Sequence, residues 1–520
     1  MAIKIAMIGA GSIGFTIRLM QDILAVPELA DTTFAFTDIS KANLDMVTQL
    51  ARRDITGNKL PAKVIATTNR RQAIADADYI ICVIRQGGLE AFKLDIDIPL
   101  KYGVDQCVGD TICAGGIMYA QRTIAAMLDF CKDIREVAKP GALFLNYSNP
   151  MAMNTWACNK YGKVNTVGLC HGVQGGHWQI AHVTEKWAWR KGLLPEGTKI
   201  PRKDIDITAA GINHQTWYLK AQWRGIDLIP QMLEMFEADP IYKDEEKVRI
   251  DVLRRFGYYS TESNGHLSEY VPWYRKRTNE IKKWIHMRSW ILGETGGYLR
   301  VCTEGRNWFE TDFPNWLKEA PKPITQANRS EEHGSYIIEG LETGRTYRGH
   351  FNIVNRGHIT NLPDGCIVEI PGYVDHNGIN MPVVGDLPLG CAATCSATVR
   401  MQEMGMEAAV HGDVHLLKLS MLHDPLTGAV CNTEEVWQLT DEMLVAQRQW
   451  LPNYSRAAID AAAKRLSAHE KAGTRVKLVK TQGAARVHTK TVQEMAANKE
   501  KARKNAQAAD KAGMTKQGGH

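Results

Sequence analysis

Along the first 150 residues, short uniformly apolar runs alternate with segments whose apolar positions recur every three or four residues. KIAMIGA, TTFAFTDI, KVIATT, DYIICVI and GALFLNYSNP are the runs; TIRLMQDILAV and KANLDMVTQLARRDI are the periodic segments. A short run that is apolar throughout reads as a strand covered on both faces, and a 3.6-residue period reads as an amphipathic helix. Their alternation predicts a parallel, doubly wound sheet. The same style continues through the helix MAMNTWACNKYG, the strand NTVGLC, the helix GGHWQIAHVTEKWAW and strands near IDITAAGINH and TWYLKAQW. Residues 221–330 turn helical and rich in Trp, Tyr and charge. Residues 335–395 return to strands, clearest in VNRGHITNLPDGCIVEIPGYVD. Two long helices follow, ATVRMQEMGMEAAVHGDVHLLKLSML and TEEVWQLTDEMLVAQRQWL. Beyond Tyr454, Ala, Lys, Gln and Thr dominate, which predicts one helix over SRAAIDAAAKRLSAHEKA and then a polar, poorly ordered end.

Composition narrows the function classes. A chain of 520 residues is too long for one small core and suits two interlocked lobes, or one large α/β unit with an added domain. The formal charge of +6 comes from 63 basic against 57 acidic residues, and much of the excess sits in the last 60 positions. The body is near balance and carries no nucleic-acid-binding motif, so no nucleic-acid partner is expected. There is no apolar run long enough to span a membrane and no leader-like start, so a cytoplasmic protein is expected. Eleven cysteines without regular spacing fit reduced thiols, most of them small core residues.

The first candidate site is Gly9-Ala10-Gly11-Ser12-Ile13-Gly14, a complete G-x-G-x-x-G between a predicted strand and a predicted helix. Gly9 permits the tight turn, Gly11 lets the backbone approach a pyrophosphate, and Gly14 is assigned to close helix–strand packing. The free N–H groups of the helix start face the anion. Asp38 ends the second strand 24 residues after Gly14, where a carboxylate hydrogen-bonds a ribose 2′-hydroxyl. That acid repels a 2′-phosphate, so NAD is favoured over NADP.

Three further islands sit at or just past predicted strand ends: Asn146 to Thr155 (NYSNPMAMNT), Gly168 to Gly175 (GLCHGVQG) and Ala210 to His214 (AGINH). Ligands of open parallel sheets bind there. Together with the glycine turn, Gly109-Asp110-Thr111, Gly115-Gly116-Ile117, Asn361-Leu362-Pro363 and Asp424-Pro425, the islands resemble glycoside hydrolase family 4, the NAD- and metal-dependent glycosidases, from Met1 to about Tyr454. The resemblance implies an α/β fold in which a Rossmann-type doubly wound sheet is followed by an α+β lobe, as in lactate and malate dehydrogenases. The expected division is an NAD-binding domain over 1–195, a metal- and sugar-binding domain over 196–455 and an Ala- and Lys-rich extension over 456–520. It also implies a homodimer or homotetramer acting on a small glycoside.

By the same resemblance, Cys170 and His214 hold a divalent metal, usually Mn²⁺. Asn149 holds the sugar hydroxyls, and Asp110 and His171 belong to the catalytic set, His171 assisting the leaving group. The implied chemistry oxidises sugar C3 with NAD, removes the C2 proton and eliminates the leaving group from C1. Tyr258 is the first choice for the base, with Tyr259, Glu262 and His266 as rivals. Arg85, His177, Arg275 and Lys276 are the cationic candidates for an anionic C6 group, Arg85 and His177 foremost. The tetrad Cys170-His171-Gly172-Val173 looks most like that of the α-uronidases, so α-galacturonide is the first substrate expected. α-Galactoside, α-glucuronide and sulfoquinovoside are the alternatives within the family. The rival class is an NAD-dependent 2-hydroxyacid-type dehydrogenase, which needs no metal.

Overall fold

The computed structural model describes residues 2–286, 292–479, 483–484 and 486–511, the last ten of these by their backbone. Its strands are β1 (Lys4–Ile8), β2 (Thr33–Thr37), β3 (Lys63–Thr67), β4 (Tyr79–Cys82), β5 (Leu143–Asn146), β6 (Thr166–Gly168), β7 (Ile205–Ile212), β8 (Gln215–Trp223), β9 (Ile226–Asp227), β10 (Tyr347–Val354), β11 (Ile367–Asp375) and β12 (Gly378–Asn380). All belong to one sheet, ordered β3-β2-β1-β4-β5-β6-β10-β11-β7-β8-β9, with β12 on β11.

The first six strands are parallel, as the uniformly apolar runs predict. Strand order reverses between β1 and β4, and this switch point opens a crevice at the carboxyl ends of the strands. The remaining strands pair antiparallel, starting where Gly168 on β6 meets Asn352 on β10. The sheet thus passes without a break from the nucleotide half into the half carrying β7, and brings the ends of β5, β6 and β7 to one edge of the crevice. The cores are equally continuous. Met153 and Trp156, on the helix behind β5, pack in one buried cluster with Trp217 of β8 and Val399 of the helix Leu389–His411.

Several elements differ from the sequence pattern. His333–Thr343, expected as strand, is a helix; Ile337 and Ile338 are buried, and Gly344 caps it at φ +75°. Within the expected strand VNRGHITNLPDG, residues 355–366 form a loop held by Asn355, whose Nδ2 donates to the carbonyls of Ile359, Leu362 and Pro363. The helix predicted across 397–422 is two helices, Leu389–His411 and Val414–His423. Gly412 breaks it at φ +66°, and Asp413 caps the second by accepting from the Leu416 N–H. Two helices that flank the crevice, Gly88–Lys101 and Cys113–Val137, escaped the pattern. The first eight residues of the latter are wholly buried, so no polar face discloses the period.

The extension forms the expected helix, Arg456–Ala472, and a second helix, Val492–Lys511, where the composition predicted a poorly ordered end. Ala, Lys, Gln and Glu exclude a core but are strong helix formers. Residues 512–520 lie outside the described residues. Among the described residues no helix is long and apolar enough to cross a membrane.

Candidate active site

The glycine turn is built as its sequence requires, with one difference. Gly9 sits at φ +83°, and a Cβ there would fall 2.6 Å from the carbonyl oxygen of Val83, just past β4. The Gly11 N–H donates to Asp38 Oδ2 at 2.8 Å, and Asp38 Oδ1 accepts the Ser40 N–H at 2.8 Å. Asp38 is thereby locked at the end of β2, beside the fully exposed Ile39, an apolar surface on which an adenine ring can lie. Ser12 caps the helix Ile13–Leu24 without a side-chain hydrogen bond, leaving the helix start open to an anion. Gly14 does not mediate helix–strand packing: a Cβ there meets nothing within 4 Å. These residues fit a dinucleotide.

Beyond the ends of β5, β6 and β7 lies a cavity of about 540 Å³, lined by Asp110, Asn149, Cys170, His171, His214, Glu262 and others. Ligand atoms of Cys170, His214 and Glu262 all lie within 4.8 Å of one another, the one such group among the described residues. His214 Nε2 and Glu262 Oε2 are 4.0 Å apart, too far to hydrogen-bond. Burial pushes the His214 ring down to about 4, so it is neutral and its lone pair is available. Burial alone would raise Glu262, but the neighbouring His214 and His266 rings hold it down to about 2. Burial, then Glu369 and Glu262, push the Cys170 thiol up; a bound cation reverses that balance by taking the thiolate as ligand. Thiolate, imidazole and carboxylate suit a divalent transition metal.

A network behind the metal ligands orients them. Asp110, fully buried, accepts from Arg85 Nη2 at 2.7 Å, Asn149 Nδ2 at 3.3 Å and Thr111 Oγ1 at 3.2 Å. Thr111 Oγ1 lies 3.3 Å from His214 Nδ1, which leaves Nε2 facing the metal group. The turn that presents Asp110 is fixed by Glu269, whose Oε1 accepts the N–H groups of Cys107, Val108 and Gly109 at 2.8, 3.0 and 3.2 Å. The Arg85 guanidinium stands over the rings of Phe92, Tyr119 and Tyr298 at 4.2, 5.0 and 5.2 Å. His171 Nε2 pairs with Glu332 Oε2 at 2.7 Å, and its ring lies 6.1 Å from Phe15 on the helix that follows the glycine turn. His171 therefore stands between the nucleotide turn and the metal group.

The structure brings Asp110, Asn149, Cys170, His171 and His214 to one cavity, with Arg85 reaching it through Asp110. It does not bring Tyr258 there; that half-buried ring packs on the central core cluster. Tyr259 is fully buried behind the cavity wall, its hydroxyl donating to Gln179 Oε1 at 2.9 Å. His177 faces a separate cavity and bonds the Ile205 carbonyl at 2.9 Å. Arg275 is buried against Asp105, and neither it nor Lys276 lines the site. Among the rivals for the base, Glu262 joins the metal group, and His266 lies with its ring 4.6 Å from that of His214. Sequence reasoning missed Tyr298, the one tyrosine lining this cavity among the described residues. Its local signal is Gly296-Gly297, where Gly296 at φ +61° starts the helix that carries it.

The chain matches the model described as "Family 4 glycosyl hydrolase" over residues 4–186, and that of the "Family 4 glycosyl hydrolase C-terminal domain" over 209–427. It is 57% identical over 504 residues to an alpha-galactosidase of Rhizobium meliloti (strain 1021), covering 97% of this chain and 99% of that one. It is 32% identical over 458 residues to an alpha-galactosidase of Bacillus subtilis (strain 168), covering 87% and 99%. Relatives named alpha-galacturonidase match at 28% or below. The fold is shared with a 6-phospho-alpha-glucosidase from gut microorganisms solved with NAD and Mn²⁺, at a TM-score of 0.70 and 17% identity, covering 88% of this chain and 100% of that one.

Proposed function

The chain belongs to glycosyl hydrolase family 4 and is a glycosidase, and we propose that it is an α-galactosidase working with NAD and a divalent cation, Mn²⁺ first. The observation that carries this reading is the Cys170, His214 and Glu262 group in one cavity with Asn149 and Asp110, next to a dinucleotide turn. When bound, NAD supplies a hydride acceptor for sugar C3 and the cation a Lewis acid for the oxygens at C2 and C3.

The chain's own residues do the rest. The N–H groups at the start of the helix Ile13–Leu24 take the pyrophosphate and Asp38 the ribose. Cys170, His214 and Glu262 hold the cation. Asn149, oriented by Asp110, holds the sugar hydroxyls. Tyr298 takes the C2 proton as a phenolate. Burial pushes its hydroxyl well above the ordinary range; the Arg85 guanidinium beside it and the cation's charge both favour the ionised form. His171, steadied by Glu332, hands a proton to the departing oxygen.

A neutral galactoside is preferred to the galacturonide that the Cys-His-Gly-Val tetrad suggested. The relative at 57% identity is an alpha-galactosidase. Among the described residues the cavity is also lined by Asp110, Glu245, Glu246 and Glu262, and the one arginine among them, Arg249, has all three nitrogens engaged. The test is hydrolysis of p-nitrophenyl α-D-galactoside and α-D-galacturonide with NAD⁺ and Mn²⁺, before and after chelation. Galactoside turnover that stops with chelator and returns with Mn²⁺ supports the reading. Preference for the galacturonide, or indifference to chelator, overturns it.

A further inference from the structure

The cavity that holds the metal group is also lined by three side chains hydrogen-bonded to one another. Gln179 comes from the helix Gly172–Arg190, and Arg249 from the helix Lys247–Phe256, which Glu246 immediately precedes. Gln179 Nε2 donates to Glu246 Oε1 at 2.8 Å, and Arg249 Nη1 lies 3.2 Å from the same oxygen. Arg249 Nη1 also donates to Gln179 Oε1. Its Nε and Nη2 hold the Ser260 carbonyl at 3.2 and 2.6 Å. The wall is therefore fixed before any ligand arrives.

One atom in it stands apart. Glu246 is only 3% exposed, it lines the cavity, and among the described residues its Oε2 has no hydrogen-bond partner. An unpaired buried carboxylate oxygen is costly, so such atoms are rare unless a ligand completes them. The helix from Gly172, beside the metal group, to Gln179 rises about 10 Å. That is roughly one hexose ring with its C6 arm.

We infer that Glu246 determines specificity at the C6 end of the sugar, accepting a hydrogen bond from a neutral C6 hydroxyl at Oε2 and turning away a C6 carboxylate. This rests on the α-galactosidase reading and adds the residue that enforces it. A hydroxyl donates to Oε2 and relieves the unpaired oxygen. A uronate places a second anion against Glu246, beside Glu245, and finds Arg249 already bound to its own neighbours. Gln179 and Arg249 act through Glu246 as positioning residues.

The test uses full-length enzyme with NAD⁺ and Mn²⁺ and three substrates: p-nitrophenyl α-D-galactoside, its 6-deoxy analogue and the α-D-galacturonide. Wild type is expected to lose roughly 10- to 100-fold in kcat/KM on the 6-deoxy analogue. Glu246→Gln keeps the size and the Gln179 side of the wall; it is expected to lower the galactoside-to-galacturonide ratio by roughly 10-fold or more, through KM for the galactoside rather than kcat. Wild type that cleaves the 6-deoxy sugar as well as the parent overturns the inference, and that comparison needs no folded variant. An unchanged ratio in Glu246→Gln also overturns it. Wild type that cleaves neither the galactoside nor the galacturonide removes the functional reading itself, a separate failure.

Discussion

The nucleotide turn gathers its working parts from residues 9 to 38, whereas the metal and sugar cavity draws on positions 110, 149, 170, 214, 246, 262 and 298. The turn works with backbone: Gly9 at φ +83°, an exposed helix start, and one carboxylate tied to the Gly11 N–H. The cavity works with side chains that meet because the sheet register carries Gly168 of β6 through Asn352 and Glu369 to Gly211 of β7, which sets Cys170 and His214 at one level. The difference teaches where each half is vulnerable. Damage to the turn is steric and confined to the cofactor. Damage to the cavity is chemical and removes a charge, a ligand or a proton carrier.

The largest expected effect is in the cavity. Cys170→Ser is expected to abolish turnover and Mn²⁺ binding, read by electron paramagnetic resonance, while NAD binding persists; loss of both cofactors together would mean that the two regions do not fold and bind independently. Next, Tyr298→Phe should lower kcat by roughly 10²- to 10⁴-fold with Mn²⁺ and NAD affinity retained, since only the proton carrier is removed. Near-normal turnover in that variant would hand the role to His266.

Glu369, buried behind the metal group on β11, sharpens the contrast through pH. Burial pushes its carboxyl up to about 7, above its unfolded value of 4.5. The folded chain therefore holds a proton that the unfolded chain has released, and this contribution is present below pH 4.5 and lost as pH rises through 7. The loss amounts to up to about 3 kcal/mol. Urea denaturation of wild type and Glu369→Gln at pH 5 and pH 8 measures it: the variant should have the flatter profile, and parallel profiles would show that Glu369 does not titrate differently on folding.

On the turn side, Gly9→Ala should weaken NAD binding roughly 10- to 100-fold through backbone strain and the clash with Val83, leaving Mn²⁺ affinity unchanged. An equal loss of both would dissolve the distinction. The smallest effect is expected of Tyr258→Phe, at most about twofold in kcat/KM, because the residue packs on the core cluster and does not line the cavity.

This division also governed what the sequence disclosed. The parallel strands and the turn were legible because each depends on neighbours in the chain: apolar runs make buried strands, and Gly9 and Asp38 answer to local geometry. Cys170, His214 and Asn149 were legible because each sits in a compact motif at a strand end. Glu262 was noticed as a rival for the base, and its place beside Cys170 and His214 was not. Nothing local tells that a carboxylate just before a helix cap, Ser263, meets a thiol 92 positions earlier. Tyr258 and Tyr298 lie 40 positions apart in an aromatic-rich helical segment. Packing decides which ring reaches the cavity: Tyr258 turns to the core, and Tyr298 stands beside Arg85. The expected uronate followed from the tetrad Cys170-His171-Gly172-Val173, and its carboxylate partners from cations counted along the chain. The structure commits Arg275 and His177 elsewhere and sets acids in the cavity.

The most direct test of the account is hydrolysis of p-nitrophenyl α-D-galactoside in D₂O with NAD⁺ and Mn²⁺, followed by NMR of the released galactose. If the cavity removes the C2 proton before the leaving group departs, the product carries deuterium at C2. Galactose that retains its hydrogen at C2 would mean that the glycosidic bond is broken by direct displacement, and would contradict the roles given to Tyr298, Cys170 and His214.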